Sequence, residues 1–407
     1  MERSMSGARG QGPLQGMKVV ELAHIMAGPA CGMMLADMGA DVIKVEKPDG
    51  DDSRRFLPPD IGGESAAFMM MNRNKRGIAL NLKDPAAIEA LQCLLDDADV
   101  VIENYRHDTM ARLGLGYEAL RARNPRLVYC AISGFGRSGP YAGRGGFDLI
   151  AQGMSGLMSI TGEGPGRPPV KPGAPIADIT AGFLAAMGCV AAYSRARATG
   201  EGQMVDTSLF EAGISLTYWQ SAIAFATGEA PGALGSAHPL NAPYQSFRTR
   251  DGWINIGAAN QRNWERLLEV LDAGELRDDP RFATNRDRMT NLSALVPLLE
   301  GHLQTRDTQD WLARMDAAGL PAGPVMDICE MHRDPQAVAR DMIVETEHPV
   351  AGPVKAIGLP VKFSETPGGV VRAAPTLGQH GPEILAEHGY DAKRIAALRD
   401  SGALIVA

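Results

Sequence analysis

The stretch KPGAPIADITAG, residues 171–182, sets one carboxylate, Asp178, between a Pro/Gly-rich lead-in and the apolar run FLAAMGCVAAY. A carboxylate at the mouth of such a helix has two uses. As an N-cap it accepts a bond from a free backbone N–H, worth about 1 kcal/mol. Otherwise it is the group that does the chemistry, and free N–H groups at a helix start favour its ionised form. Spacing alone favours the cap. Cations form a second set, at the ends of apolar segments: Lys47, the NRNKR run (72–76), Lys83, Arg106 and Arg112. At the C-terminal ends of parallel strands they line a binding crevice and suit a ligand with several phosphates; dispersed, they are ordinary solvated surface.

The elements that must position these groups read as an α/β pattern. MKVVELA (17–23) is a strand, GPACGMMLADMGA (28–40) a helix ending in glycine, and DVIKVEK (41–47) a strand. Strand, helix, strand in so short a span is a βαβ unit with parallel strands. The pattern continues with a strand at 77–82, a helix at 84–98 started by Asp84 and Pro85, and strands at 99–105, 126–136 and 202–210. The helix that follows Asp178 is expected over about 179–198. Glycine and proline dominate 137–178, marking surface loops near function. The stretch 226–243 reads as a linker, followed by a hairpin at 244–258 and two helices, a smaller α+β module. Strand and turn signals return near the end of the chain. The expected organisation is a larger unit over 14–225 completed by 331–407, a small domain over 226–330, and a flexible tail over 1–13.

The loop ELAHIMAGP (21–29) after the first strand carries one glycine, and Pro29 opens the helix. The glycines that let a backbone approach a pyrophosphate are missing, which disfavours an NAD or FAD enzyme. The helix start still offers N–H groups to an anion or carbonyl oxygen. His24 in this loop is compatible with a structural or a functional role.

With 407 residues the chain exceeds one small core, and 45% hydrophobic with 22% charged residues is a globular profile. A net charge of −8 disfavours nonspecific nucleic-acid or anionic-membrane binding. The N-terminus lacks the apolar segment of a signal peptide, and the longest apolar run, ITAGFLAAMGCVAAY, stops at Arg195, short of a membrane span. Five widely spaced cysteines without CxxC or Cys/His spacing predict reduced thiols, a cytoplasmic location and no metal site.

Five segments occur in this order: GMKVVELAHIMAGPACGMMLADMGADVIKVEKPDGDDSR, NRNKRGIALNLKDP, DVVIENYRHDTMARLGLGYEALRARNPRLVYCAISGFG, KPGAPIADITAG and GEGQMVDTSLFEA. Together they resemble the class III CoA-transferase family, which includes formyl-CoA transferase, carnitine CoA-transferase and α-methylacyl-CoA racemase. The resemblance runs from about residue 14 to the C-terminus and is densest over 16–210. It implies a large Rossmann-like domain made from both chain ends, a smaller inserted α+β domain, and two chains interlaced as a homodimer. It implies acyl-CoA thioesters and carboxylic acids as substrates, with no permanently bound cofactor. Asp178 matches the nucleophile of the transferases, which forms an aspartyl anhydride and then an aspartyl-CoA thioester. His24, Ile25, Met26 and Ala27 match the loop beside the thioester. Lys47, Leu82, Lys83, Asn104, Tyr105 and Arg112 match positions that contact CoA. The donor expected from the resemblance is succinyl-CoA or a similar thioester.

The chain departs from the family pattern in places. Met26 stands where formyl-CoA transferase has glutamine, and the stretch 233–243 keeps only Gly235 of that enzyme's glycine-rich flap. Phe147 stands where the racemases carry a proton-transferring histidine, which counts against the alternative of an acyl-CoA racemase or epimerase. Asp148 beside it is expected to orient loops by hydrogen bonds. A binding protein without turnover is the further alternative, disfavoured by the intact Asp178. Arg73, Arg76, Arg144, Arg167 and Lys171 are candidates to pair with the acid's distal carboxylate, Arg167 and Lys171 first because they lie in the loop leading to Asp178.

Overall fold

The computed structural model describes residues 11–406. The N-terminal tail expected over 1–13 therefore lies mostly outside the described residues. Its last three do not run free: Gly12 is buried where a side chain would strike the Met38 carbonyl, and the Gln11 carbonyl accepts from Gly368 N–H.

The larger unit is built on six parallel strands. They are β1 (Lys18–Leu22), β2 (Asp41–Glu46), β3 (Arg76–Leu80), β4 (Val100–Glu103), β5 (Val128–Ser133) and β6 (Met204–Ser208). Their spatial order is 3-2-1-4-5-6, with Val20 paired to Ile43 on one side and Val101 on the other. This is the doubly wound order of dinucleotide-binding sheets, whose ligands bind at the switch between strands 1 and 4. The chain reaches it without the glycine loop. Valine- and isoleucine-rich strands suit the order because both faces are covered. On one face pack α1 (Ala27–Asp37) and a long helix, Ile176–Thr199; on the other packs α2 (Pro85–Asp96), with Asp84 accepting from Ala86 N–H at 2.9 Å as its cap.

In chain order the next helices are α3 (Asp148–Met154), α4 (Ile176–Thr199) and α5 (Leu209–Ser215). By length and composition α4 is long enough and apolar enough to cross a membrane, longer than the apolar run alone suggests. Here its alanine-rich face, with Ala177, Ala181, Ala185 and Cys189, is buried in the core against α1. Gly182 is the point of closest approach: a Cβ there would lie 2.6 Å from both the Ala27 oxygen and the Ala30 Cβ. Asp178, one turn earlier on the same face of α4, is thereby brought to the start of α1. Gly182→Ala should lower thermal stability by about 1–3 kcal/mol through overpacking, and activity with it. Thermal melts paired with initial rates check this; an unchanged melt would mean the two helices part freely.

Three of the five cysteines converge in the same core. Cys31 of α1, Cys130 of β5 and Cys189 of α4 are fully buried, with sulfurs within 4.8 Å of one another. Sequence spacing gives no sign of this cluster, which arises only because a helix, a strand and a second helix meet there.

The smaller unit comprises residues 158–171 and 218–334, the larger one the rest of the described chain. The segment 158–171 groups with the smaller unit, although its position before Asp178 suggests the larger. After α6 (Tyr218–Thr227) come β7 (Tyr244–Arg248) and β8 (Trp253–Gly257), the expected antiparallel hairpin, extended by β9 (Ala322–Pro324). Helices α7 (Gln261–Leu271), α8 (Leu292–Leu303) and α9 (Thr308–Ala317) cover it around Trp264, Phe282, Leu299 and Trp311. The chain then returns to the larger unit. It adds a hairpin of β10 (Ile343–His348) and β11 (Gly352–Ile357), helices α10 (Gly381–Glu387) and α11 (Ala392–Asp400), and an edge strand β12 (Leu404–Ile405) antiparallel to β3.

Candidate active site

A cavity of about 360 Å³ opens in the larger unit at the C-terminal ends of β1, β4 and β5. The strand order singles out this place: crevice loops diverge where neighbouring strands send their crossovers to opposite faces. His24, Ile25, Met26 and Ala27 reach it from β1, Asn104 and Tyr105 from β4, and Asp178 from the first turn of α4. These seven sequence-selected residues, spread from His24 to Asp178, share one lining.

Asp178 is not the cap of its helix. Pro175 occupies the cap position, and the first-turn N–H groups of Ala177 and Asp178 donate instead to Asp148 Oδ1, at 2.9 and 3.4 Å. Asp148 is itself steadied by Gln152 Nε2 at 2.6 Å. The capping acid is thus supplied by α3, and the Asp178 carboxylate accepts no hydrogen bond from the described residues. Its proton affinity departs from the sequence-based expectation of a stable anion. Burial first, and the Asp148 charge second, push its pKa up to about 7. The helix start does not rescue it because its free N–H groups already serve Asp148. Asp148→Asn keeps one oxygen to accept those bonds while removing the repelling charge. The acid limb of a pH–rate profile should then move to lower pH, with helix stability nearly unchanged. An unmoved limb would remove Asp148 from the electrostatics of Asp178.

The β1 loop is pinned from two sides. Asn104 accepts from His24 N–H at 2.9 Å and donates to the His24 carbonyl at 2.8 Å, while Asp51 accepts from Ile25 N–H at 3.1 Å. The N–H groups of Met26, Ala27 and Gly28 find no acceptor among the described residues, the usual state of a helix's first turn. They begin α1 at the cavity that holds Asp178. The His24 ring lies 3.8 Å from Asp52 and 5.9 Å from the Tyr105 ring, and burial lowers its pKa. Tyr105 is buried enough that its hydroxyl is pushed up to about 12.

Tyr105 also lines a second hollow, shared with Lys47, Leu82 and Lys83. Lys47 is paired there with Asp52 at 2.8 Å. Of the CoA-contact residues expected, Arg112 alone lines neither hollow; it is exposed and pairs with Asp108 at 3.6 Å.

The cations proposed for a carboxylate divide sharply. Arg73 is buried on Asp37 at 2.7 Å, and Arg76 is held by Asp41 and Glu387 at 2.6 and 2.7 Å, so both are structural. Arg144 lines the Asp178 cavity, stacked 4.6 Å from the Tyr141 ring centroid, and carries no ion pair among the described residues. Arg106 is likewise in the lining and unpaired. Arg167 belongs to the smaller unit, where it pairs with Glu163 at 3.2 Å in a hollow with Val170 and Gly235; Lys171 belongs to the same unit. Sequence reasoning missed Asp52, His107 and Arg137, all in the lining. Each follows the end of a parallel strand, the signal that could have found them.

An acid with no bonding partner, free helix N–H groups and unpaired guanidinium groups in one cavity make a site for attack on a carbonyl joined to an anionic carrier. The sequence model of CoA-transferase family III matches residues 14–381. Succinate–glutarate CoA-transferase of Agrobacterium fabrum is 41% identical over 382 residues, 92% of this chain and 95% of that protein. Human succinyl-CoA:glutarate CoA-transferase is 36% identical over 392 residues, 96% of this chain and 89% of that one. The crystal structure of a CAIB/BAIF family protein from Brucella suis superposes with a TM-score of 0.84 at 40% identity, covering 93% of this chain and 100% of the other. Matched from its first strand to α10, with Asp178 in the strand-end cavity, the chain belongs to CoA-transferase family III and is an enzyme of that class.

Proposed function

We propose that this enzyme moves CoA from succinyl-CoA, or a similar donor, to a dicarboxylic or hydroxy acid through a covalent relay on Asp178. The observation that carries the reading is the Asp178 carboxylate itself, unbonded in the cavity beside the free N–H groups of Met26 and Ala27. The Asp178 oxygen attacks the thioester carbonyl; the C–S bond breaks, leaving an aspartyl–acyl anhydride and CoA thiolate. The thiolate attacks the aspartyl carbonyl, releasing the first acid and leaving an aspartyl-CoA thioester. The acceptor carboxylate attacks that thioester, and the thiolate then takes the new acyl group, freeing Asp178. Each step exchanges one acyl bond for another, so the thioester energy is retained if water is excluded. The N–H groups of Met26 and Ala27 suit the oxyanion formed in these attacks. The hollow of Lys47, Leu82 and Lys83, sharing Tyr105 with the Asp178 cavity, suits the nucleotide end of CoA. Phe147 in the lining has no proton to exchange, which counts against α-proton transfer.

The relatives named for succinate and glutarate support the donor and the acid class. Of the candidate cations, Arg144 is unpaired among the described residues in the Asp178 cavity and is assigned to the distal carboxylate, so Arg144→Ala should raise KM for dicarboxylates more than for monocarboxylates. Equal effects in the steady-state comparison would sink that assignment.

A homodimer is part of the same proposal. Helix α6 buries none of its residues, with Phe225 89% and Tyr218 77% exposed, and α4 leaves Met187 65% exposed. Apolar faces this open need a cover, and a second copy of the chain is the one the family resemblance implies. Sedimentation analysis checks it; a monomer at micromolar concentration would overturn it.

The test of the relay is to incubate the enzyme with succinyl-CoA, quench with hydroxylamine or borohydride, and map the modified peptide by mass spectrometry. An adduct at Asp178, absent in Asp178→Asn, is expected. No adduct with any acyl-CoA, despite CoA binding, would overturn the reading.

A further inference from the structure

Ile25 has φ +67°, the left-handed region that a β-branched residue rarely enters. Such a conformation is strained and persists only where the surroundings over-determine it. The surroundings here are a buried charge network. Asp51 accepts from Ile25 N–H at 3.1 Å, and its carboxylate is also bonded by Ser53 N–H at 2.9 Å and by Lys44 Nζ at 2.9 Å. Lys44 donates onward to Glu21 at 3.1 Å and to the Ala23 carbonyl at 2.8 Å. The second oxygen of Glu21 meets Lys75 at 2.8 Å, and Lys75 donates to the Pro29 carbonyl at 3.0 Å. Gly32 leaves the room: a Cβ there would lie 1.9 Å from Glu21 Oε2.

The network therefore grips the backbone at residues 23, 25 and 29, on both sides of the free N–H groups of Met26, Ala27 and Gly28. Its two lysines and two acids balance in charge, and all four are buried. Burial alone would raise the Asp51 carboxyl, but Lys44 and the Ser53 bonds outweigh it and hold the acid ionised. A buried ionic cluster is a poor way to gain stability compared with apolar packing. What it supplies is a fixed backbone direction that apolar packing cannot impose.

We infer that Asp51 is a positioning residue, which locks Ile25 in its left-handed conformation so that the N–H groups of Met26 and Ala27 stay aimed at the reacting carbonyl beside Asp178. The inference rests on Asp178 as the covalent nucleophile. It separates binding from chemistry, because the loop's aim matters most when charge develops on the carbonyl oxygen.

The test is single-turnover acylation of Asp178 by succinyl-CoA together with steady-state kinetics, on wild type, Asp51→Asn, Ile25→Gly and the double variant. Asp51→Asn should slow acylation and kcat by about 10–100-fold, with KM for the acyl-CoA within about twofold of wild type. Glycine enters the left-handed region without strain, so Ile25→Gly should restore part of the rate that Asp51→Asn loses when the two are combined. Ser53→Ala, which removes one hydrogen bond from the Asp51 carboxylate, is the milder variant should Asp51→Asn fail to fold; a fall of about two- to fivefold in kcat at unchanged KM is expected. Wild-type rates in Asp51→Asn or Ser53→Ala, KM rising in step with the loss of kcat, or no rescue by glycine would overturn the positioning role. Absence of any wild-type adduct would instead overturn the covalent reading, and this inference with it.

Discussion

Asp178→Asn should lose CoA transfer by on the order of 10⁴-fold or more, while still binding CoA and keeping its fold. The amide is nearly isosteric with the acid but cannot form the anhydride, so the relay stops at its first bond. The fold should survive because the start of α4 does not depend on Asp178: its N–H groups are bonded by Asp148. Asp178→Glu should fail less completely, by about 100-fold, because it keeps the carboxylate and misplaces it by about one bond length. Initial rates with succinyl-CoA and glutarate, beside CoA affinity, measure both. More than a tenth of wild-type turnover in Asp178→Asn would mean that the chemistry is carried elsewhere.

The same substitution should make the protein more stable at alkaline pH. The Asp178 pKa is raised from an ordinary 3.8 to about 7, by burial before the Asp148 charge. A carboxyl with a raised folded value binds its proton more tightly in the folded than in the unfolded chain. Its contribution is complete below about 3.8 and is lost as pH rises through about 7. At pH 8 the folded protein carries a charge that costs up to about 4 kcal/mol, three pKa steps at about 1.4 each. Asp178→Asn has no such charge, so its thermal midpoint should exceed wild type at pH 8 by several degrees and converge with it near pH 4. A lower midpoint at pH 8 would mean that Asp178 supports its helix after all. Activity should run opposite to stability, rising through the same range as the nucleophile ionises.

Much of the framework was legible because local rules and tertiary packing agreed. Strands rich in valine and isoleucine, the Asp84–Pro85 helix start and the hairpin at Tyr244–Gly257 all form as their patterns demand. The candidate site was legible in part. The segments that resemble the family carried Asp178, Asn104 and the 24–27 loop, and the strand order explains why they meet. The arginines were not legible. Arg73, Arg76 and Arg144 look alike in sequence, yet two are held by acids far along the chain and one faces the cavity unpaired. Which acid reaches a given arginine is a property of chain crossing, not of neighbours in sequence.

The sequence by itself determined the alternation of strands and helices, the absence of a dinucleotide loop, and the presence of one acid at the start of an apolar helix, because these depend on residue periodicity and composition over a few turns. The tertiary structure decided what that acid is. Asp148, thirty residues earlier, takes the helix N–H groups and leaves Asp178 unbonded and reluctant to ionise. The close approach at Gly182 sets it against the start of α1, whose direction is held by charges on β1, β2 and the segments that follow β2 and precede β3. A cap becomes a candidate nucleophile only when a second acid does the capping, and only a folded chain brings the two together.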